Sequence, residues 1–93
     1  MSRPELLVAL EDAMAAVRRL EASGLRTGTG ASATEQLQQL HAELSLRREE
    51  VVAGAELDRE WASRTVRWVA AWLPDGELPL LARLGAVVRA SGR

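Results

Sequence analysis

Ninety-three residues carrying a formal charge of −1 make one small domain, of a size that buries about 60 to 65% of the surface its unfolded chain exposes. The chain has no cysteine, which excludes disulfides and thiolate metal sites, and no apolar run approaches the roughly 18 residues of a membrane span. Isoleucine, phenylalanine and tyrosine are absent and valine is poorly alternated, so the expected fold class is all-α.

The first helix is expected over about 4–24. Pro4 suits a first helical turn after Ser2 or Arg3, and Leu6, Leu10, Ala13, Val17 and Leu20 form an apolar stripe flanked by Leu7 and Met14. Gly24 followed by Leu25 has the form of a glycine C-cap with its hydrophobic contact. Glu5, Glu11 and Asp12 interrupt this segment and argue against a signal peptide, which makes a cytoplasmic protein the simplest expectation. A loop is expected at 25–34, where residues 26–33 are small, polar and glycine-punctuated and so read as mobile, with Ser32 or Thr34 to cap the next helix. A phosphate-binding loop is not expected, since the Gly-Lys-Ser/Thr ending and a preceding strand are both missing.

Residues 35–73 contain no proline and one glycine, and they predict a long central helix. At about 100° per residue, Leu37, Leu40, Leu44, Val51, Ala55, Ala62, Val66, Val69 and Leu73 share one stripe. Leu57, Trp61, Trp68 and Trp72, with Leu46, lie a quarter turn or more away. Glu43–Arg47 and Glu60–Arg64 are spaced i,i+4 in the favourable order on a solvated side. The alternative is a break at Ala53-Gly54, where glycine costs about 1 kcal/mol relative to alanine, folding the chain into a compact four-helix bundle. The unbroken helix, about 58 Å long, is the expectation. Pro74-Asp75-Gly76 then make a turn over 74–77, and a short third helix follows over about 78–90. It carries Leu80, Leu81, Leu84, Val87 and Val88 on one side and stops before Ser91-Gly92. The predicted architecture is an antiparallel helical hairpin with a long central helix and a short third helix.

Catalysis is not expected. His41 is the only histidine, there is no lysine, and a Glu-x-x-His metal motif fails because Gln38 stands three residues before it. No cofactor and no metal follow from the sequence, and His41 reads as a packing residue at an interface edge. Asp58, Arg48 and Arg59 interrupt or flank the stripe near its middle, which predicts either a register-fixing polar layer or a water-filled gap between the first and third helices. A helix-turn-helix is not expected at the C-terminus, because Gly85 follows Ala82 by three residues and not four, and only eight residues remain after it.

Two apolar faces with one local cover predict a protein–protein contact surface at Leu57, Trp61, Arg64, Trp68 and Trp72. Arg64 is placed to stack on Trp61 or Trp68, Trp72 is assigned to the core, and Trp61 to the partner surface. The expected function is a non-enzymatic adaptor, chaperone or assembly factor that meets a protein partner as a homodimer or one half of a heteromer, without a membrane role. The alternative is a small regulator that binds nucleic acid through the arginines of the C-terminal third. Residues 61–93 hold five arginines against two acids, too sparse a set for a strong phosphate-binding footprint.

Overall fold

The computed structural model of the chain describes residues 3–91, in which four α-helices follow one another: α1 (Arg3–Ser23), α2 (Thr34–Val52), α3 (Arg59–Trp72) and α4 (Leu78–Ser91). A single 3-10 turn, Asp75–Glu77, leads into α4. Ser2, Gly92 and Arg93 lie outside the described residues. The all-α class holds, but the long central helix does not form: 35–73 is two helices, so a four-helix bundle replaces the three-helix hairpin.

The break has two causes. Gly54 adopts a φ of +105°, and its N–H donates to the Val51 carbonyl at 3.0 Å while the Ala55 N–H donates to the Glu50 carbonyl at 2.9 Å. That pair of bonds is the Schellman closure, which satisfies the carbonyls a helix end leaves orphaned. Four residues later Asp58, in extended backbone, accepts the Glu60 N–H at 2.9 Å and starts α3 as its N-cap. Asp58 is therefore a cap and not a member of a buried polar layer. Arg48 reaches across to Glu11 of α1 at 2.8 Å on the surface, and Arg59 is exposed in the first turn of α3.

Ion pairs and hydrogen bonds fix the directions. Glu11 pairs with Arg48 and Arg18 donates to Nε2 of His41 at 3.0 Å, so α1 and α2 are antiparallel. Asp12 lies 4.0 Å from Arg83 while Glu5 and Val8 lie beside Arg89 and Ala90, and Glu43 accepts from the Trp61 indole while Gln39 and Leu40 lie beside Thr65 and Trp68, so α1/α4 and α2/α3 are antiparallel too. The result is an up-down-up-down ring. Within it α1 packs on α2 and α4, and α3 on α4, whereas the α2 and α3 backbones stand further apart and meet through long side chains. The molecule measures 39 × 20 × 16 Å, too short for a 58 Å helix. Leu10, Val17, Leu37, Leu40, Leu44, Val51, Val69, Leu80 and Val87 are fully buried along its axis. No helix of the described residues is long and apolar enough to cross a membrane.

The loop after α1 also differs from expectation. Gly24 caps α1 as its spacing predicts, with a φ of +69° and a bond from the Leu25 N–H to the Leu20 carbonyl at 3.4 Å. Beyond it the chain forms a small hairpin in place of a mobile coil. The Thr27 N–H donates to the Ala31 carbonyl at 2.7 Å, the Ala33 N–H to the Leu25 carbonyl at 3.0 Å, and Arg26 bridges to Ser32. Gly28 then ties the hairpin to the end of α3, its N–H donating to the Trp72 carbonyl at 3.2 Å. Thr27 and Ala33 are buried. The N-cap of α2 is Ala33, which has no side-chain acceptor, and not Ser32 or Thr34 as expected; Ser32 contributes from one residue further out, accepting the Thr34 N–H at 3.3 Å.

Two measurements follow. Asp58→Ala should lower stability by about 1 kcal/mol, and Gly54→Ala by about 1–2 kcal/mol, because nothing lies within 4 Å of an added Cβ and only the left-handed backbone resists it. Either is read as a fall in melting temperature of several degrees, and an unchanged melt for both would mean that the helix does not break here. In amide exchange, Thr27, Gly28 and Ala33 should be protected; exchange at the rate of a free loop would mean that the hairpin is undocked.

Candidate functional site

The residues singled out as a contact surface divide by depth once α3 lies beside α2. In α3 the tryptophans and the Ala62–Val69 stripe merge into one wide inward face. Leu57, just before the Asp58 cap, and Trp61 in the first turn are buried, the latter only 8% exposed. Trp68 and Trp72 are half-buried and Arg64 is exposed.

Trp61 is covered by α2 of its own chain. Its indole Nε1–H donates to Oε1 of Glu43 at 3.0 Å, and the Arg47 guanidinium carbon lies 5.0 Å from the ring centroid. Arg47 in turn lies 3.7 Å from Glu43 and 3.0 Å from Glu50. The cation over the indole is thus Arg47, while Arg64 lies 4.0 Å from Glu60 in solvent. Both i,i+4 pairs read from the sequence are present, but Glu43–Arg47 is half-buried between two helices and closes a triangle with Trp61. The Arg47 Nε within this cluster is buried without a hydrogen-bond partner. Such a triangle joins a charge-assisted hydrogen bond to a cation–π contact on one aromatic ring.

One turn further along, the wide α2/α3 spacing is not filled. Leu40 floors a groove of about 180 Å³ whose walls are Gln39 and Glu43 on α2 and Arg64, Thr65 and Trp68 on α3. Trp68 meets Trp72 edge to face, with ring centroids 5.4 Å apart. The Trp72 Nε1 is buried without a hydrogen-bond partner, beneath the end of α3 where Gly28 docks. The groove combines an apolar floor, an aromatic wall and a rim of both charge signs, an arrangement that accepts an apolar side chain and orients its polar surroundings.

Other candidate chemistry is dispersed. His41 is half-buried on the α1/α2 side, its Nε2 engaged by Arg18. Among the described residues no group of three or more His, Asp or Glu converges as a metal site would require. The C-terminal arginines are divided between two edges of the ring, with Arg64 beside α2 and Arg83 beside α1. No family model, curated protein or solved structure matches the chain.

The different depths of the tryptophans give a direct test. Trp61→Ala should cost about 3–5 kcal/mol, the range for a buried tryptophan, and unfold much of a domain of ordinary stability. Trp68→Ala should cost less and leave a cooperative helical melt. Equal losses for the two would show that Trp68 is core and that the groove is not a surface.

Proposed function

We propose that the chain is a non-enzymatic helical protein–protein interaction module, an adaptor, chaperone or assembly factor, that binds its partner in the groove between α2 and α3. The observation that carries this reading is Trp68, half-buried over Leu40 and flanked by Arg64 and Glu43. Tryptophan and arginine are the residue types most enriched at interface hot spots, and such anchors act from partly preformed pockets surrounded by a polar rim. At about 180 Å³ the groove takes one or two side chains and no more, which fits an apolar residue presented by a partner's helix. Arg64 and Glu43 on its two walls select a partner with both charge signs beside that residue. Leu57 and Trp61 lie beneath the surface and hold α3 at the spacing that leaves the groove open.

Site-specific cross-linking tests this. A photoreactive residue at Arg64 should give discrete protein adducts in cells, reduced about tenfold or more by Trp68→Ala with helicity retained, and the same probe at exposed Ala22 should give none of them. Adducts indifferent to Trp68→Ala would overturn the assignment. So would binding of purified protein to duplex or single-stranded nucleic acid with affinity falling steeply in salt, the signature of phosphate contacts.

A further inference from the structure

On the opposite edge of the ring, α1 and α4 enclose a second and longer groove. Two adjoining hollows of about 320 and 310 Å³ share Ala9, Asp12 and Ala86, and together they run the length of α4. The α4 wall is Pro79 followed by the row Ala82, Ala86 and Ala90, spaced i,i+4. Val8 on the facing wall is a large apolar side chain left 57% exposed.

The charges along this groove are ordered. Acids stand on α1, Glu5 at one level and Asp12 two turns on; arginines stand on α4, Arg89 at the level of Glu5 and Arg83 at the level of Asp12. A face built in this way is complementary to itself. Rotation by 180° about an axis parallel to the helices lays α1 of one copy over α4 of the other without changing height, so that Asp12 faces a second Arg83 and Glu5 a second Arg89. The same rotation brings each Val8 against the Ala86–Ala90 step of the other copy, where small side chains admit it. The other two-fold that joins these faces, perpendicular to the helices at Ala9 and Ala86, would set Glu5 over Asp12 and Arg83 over Arg89. That places like charge on like charge, which costs free energy at an interface.

We infer that the α1/α4 face is a homodimer interface, occupied by a second copy of this chain related by a two-fold axis parallel to the helices. The inference stands apart from the α2/α3 reading, since it uses neither Trp68 nor Arg64. The face is about 21 Å long, the length of 14 helical residues. Two helices wide, it is smaller than the roughly 800 Å² per partner of a standard interface. The dimer is accordingly weak and assembles at high micromolar concentration.

Sedimentation equilibrium on the full chain between about 10 µM and 1 mM tests the assignment, with circular dichroism to confirm helicity. The wild type should show monomer–dimer equilibrium. Val8→Glu, at an exposed position, should weaken it about tenfold or more. Asp12→Arg should do the same, and the double swap Asp12→Arg with Arg83→Asp should restore dimerisation, because the exchanged charges again face their opposites across the axis. A chain monomeric throughout this range overturns the inference. So does a dimer unaffected by Val8→Glu and Asp12→Arg, or one lost instead in Trp68→Ala, which would move self-association to the α2/α3 groove.

Discussion

At Gly54 the backbone turns left-handed, and at Asp58 a side chain takes up the first free amide of α3; between these two points the chain reverses. An unbroken helix would leave Leu57 and Trp61 facing water on a side no other element reaches. Burying a large apolar side chain contributes about 1.5–3 kcal/mol, and two such residues outweigh the few helical hydrogen bonds lost across 53–58. Three of the amides concerned, those of Gly54, Ala55 and Glu60, find new acceptors in the Schellman bonds and the aspartate cap. The four-helix ring, the burial of Trp61 and the shape of both grooves all depend on this reversal.

The reversal brings α2 and α3 side by side without bringing their backbones close. Long side chains span the gap near the turn, where Glu43 and Arg47 hold Trp61 between them. Farther from the turn the same spacing remains, but the side chains facing one another are Leu40, Thr65 and Trp68, and they do not fill it. A clasp at one end and a groove at the other are thus two outcomes of one spacing, decided by which residues fall opposite. The T-shaped contact of Trp68 with Trp72 orients the groove's aromatic wall, and Trp72 is held in turn by the hairpin through Gly28.

Much of this was legible in residue order. The helix class, the Gly24–Leu25 cap and the inward stripes of α1 and α4 follow from composition, punctuation and period. The reversal was legible too, since Gly54 and Asp58 are ordinary end and start signals, but the apolar phase of Leu37 to Val51 resumes at Ala62 and Val69 and makes the segment read as continuous. The second apolar face was the trace of the break: a stripe that splits in two along one helix is a single wide stripe on a helix that has been turned. What was not legible rests on backbone bonds and on neighbours distant in sequence. The docking of the hairpin depends on N–H and C=O groups that no side-chain pattern reports. Arg47 over Trp61 needed the α2/α3 alignment, which pairs residues 14 apart only after the chain has reversed.

The ring order also sets how the two grooves relate. The α2/α3 groove and the α1/α4 face lie on opposite edges, so a partner in the first leaves the second uncovered. In a dimer with its axis parallel to the helices, the two α2/α3 grooves would point in opposite directions with the same vertical polarity. One rigid helix could not reach both; two partner chains could, or one partner with a linker long enough to pass around the bundle. A linked pair of sites gains avidity only where the linker spans them. Coupling between the edges would have to pass through the core, where α1 rests on α2 and α3 on α4. Those contacts are buried aliphatic side chains, and close packing transmits strain without itself supplying the two discrete arrangements that coupling requires, so occupancy of one groove should leave affinity at the other nearly unchanged.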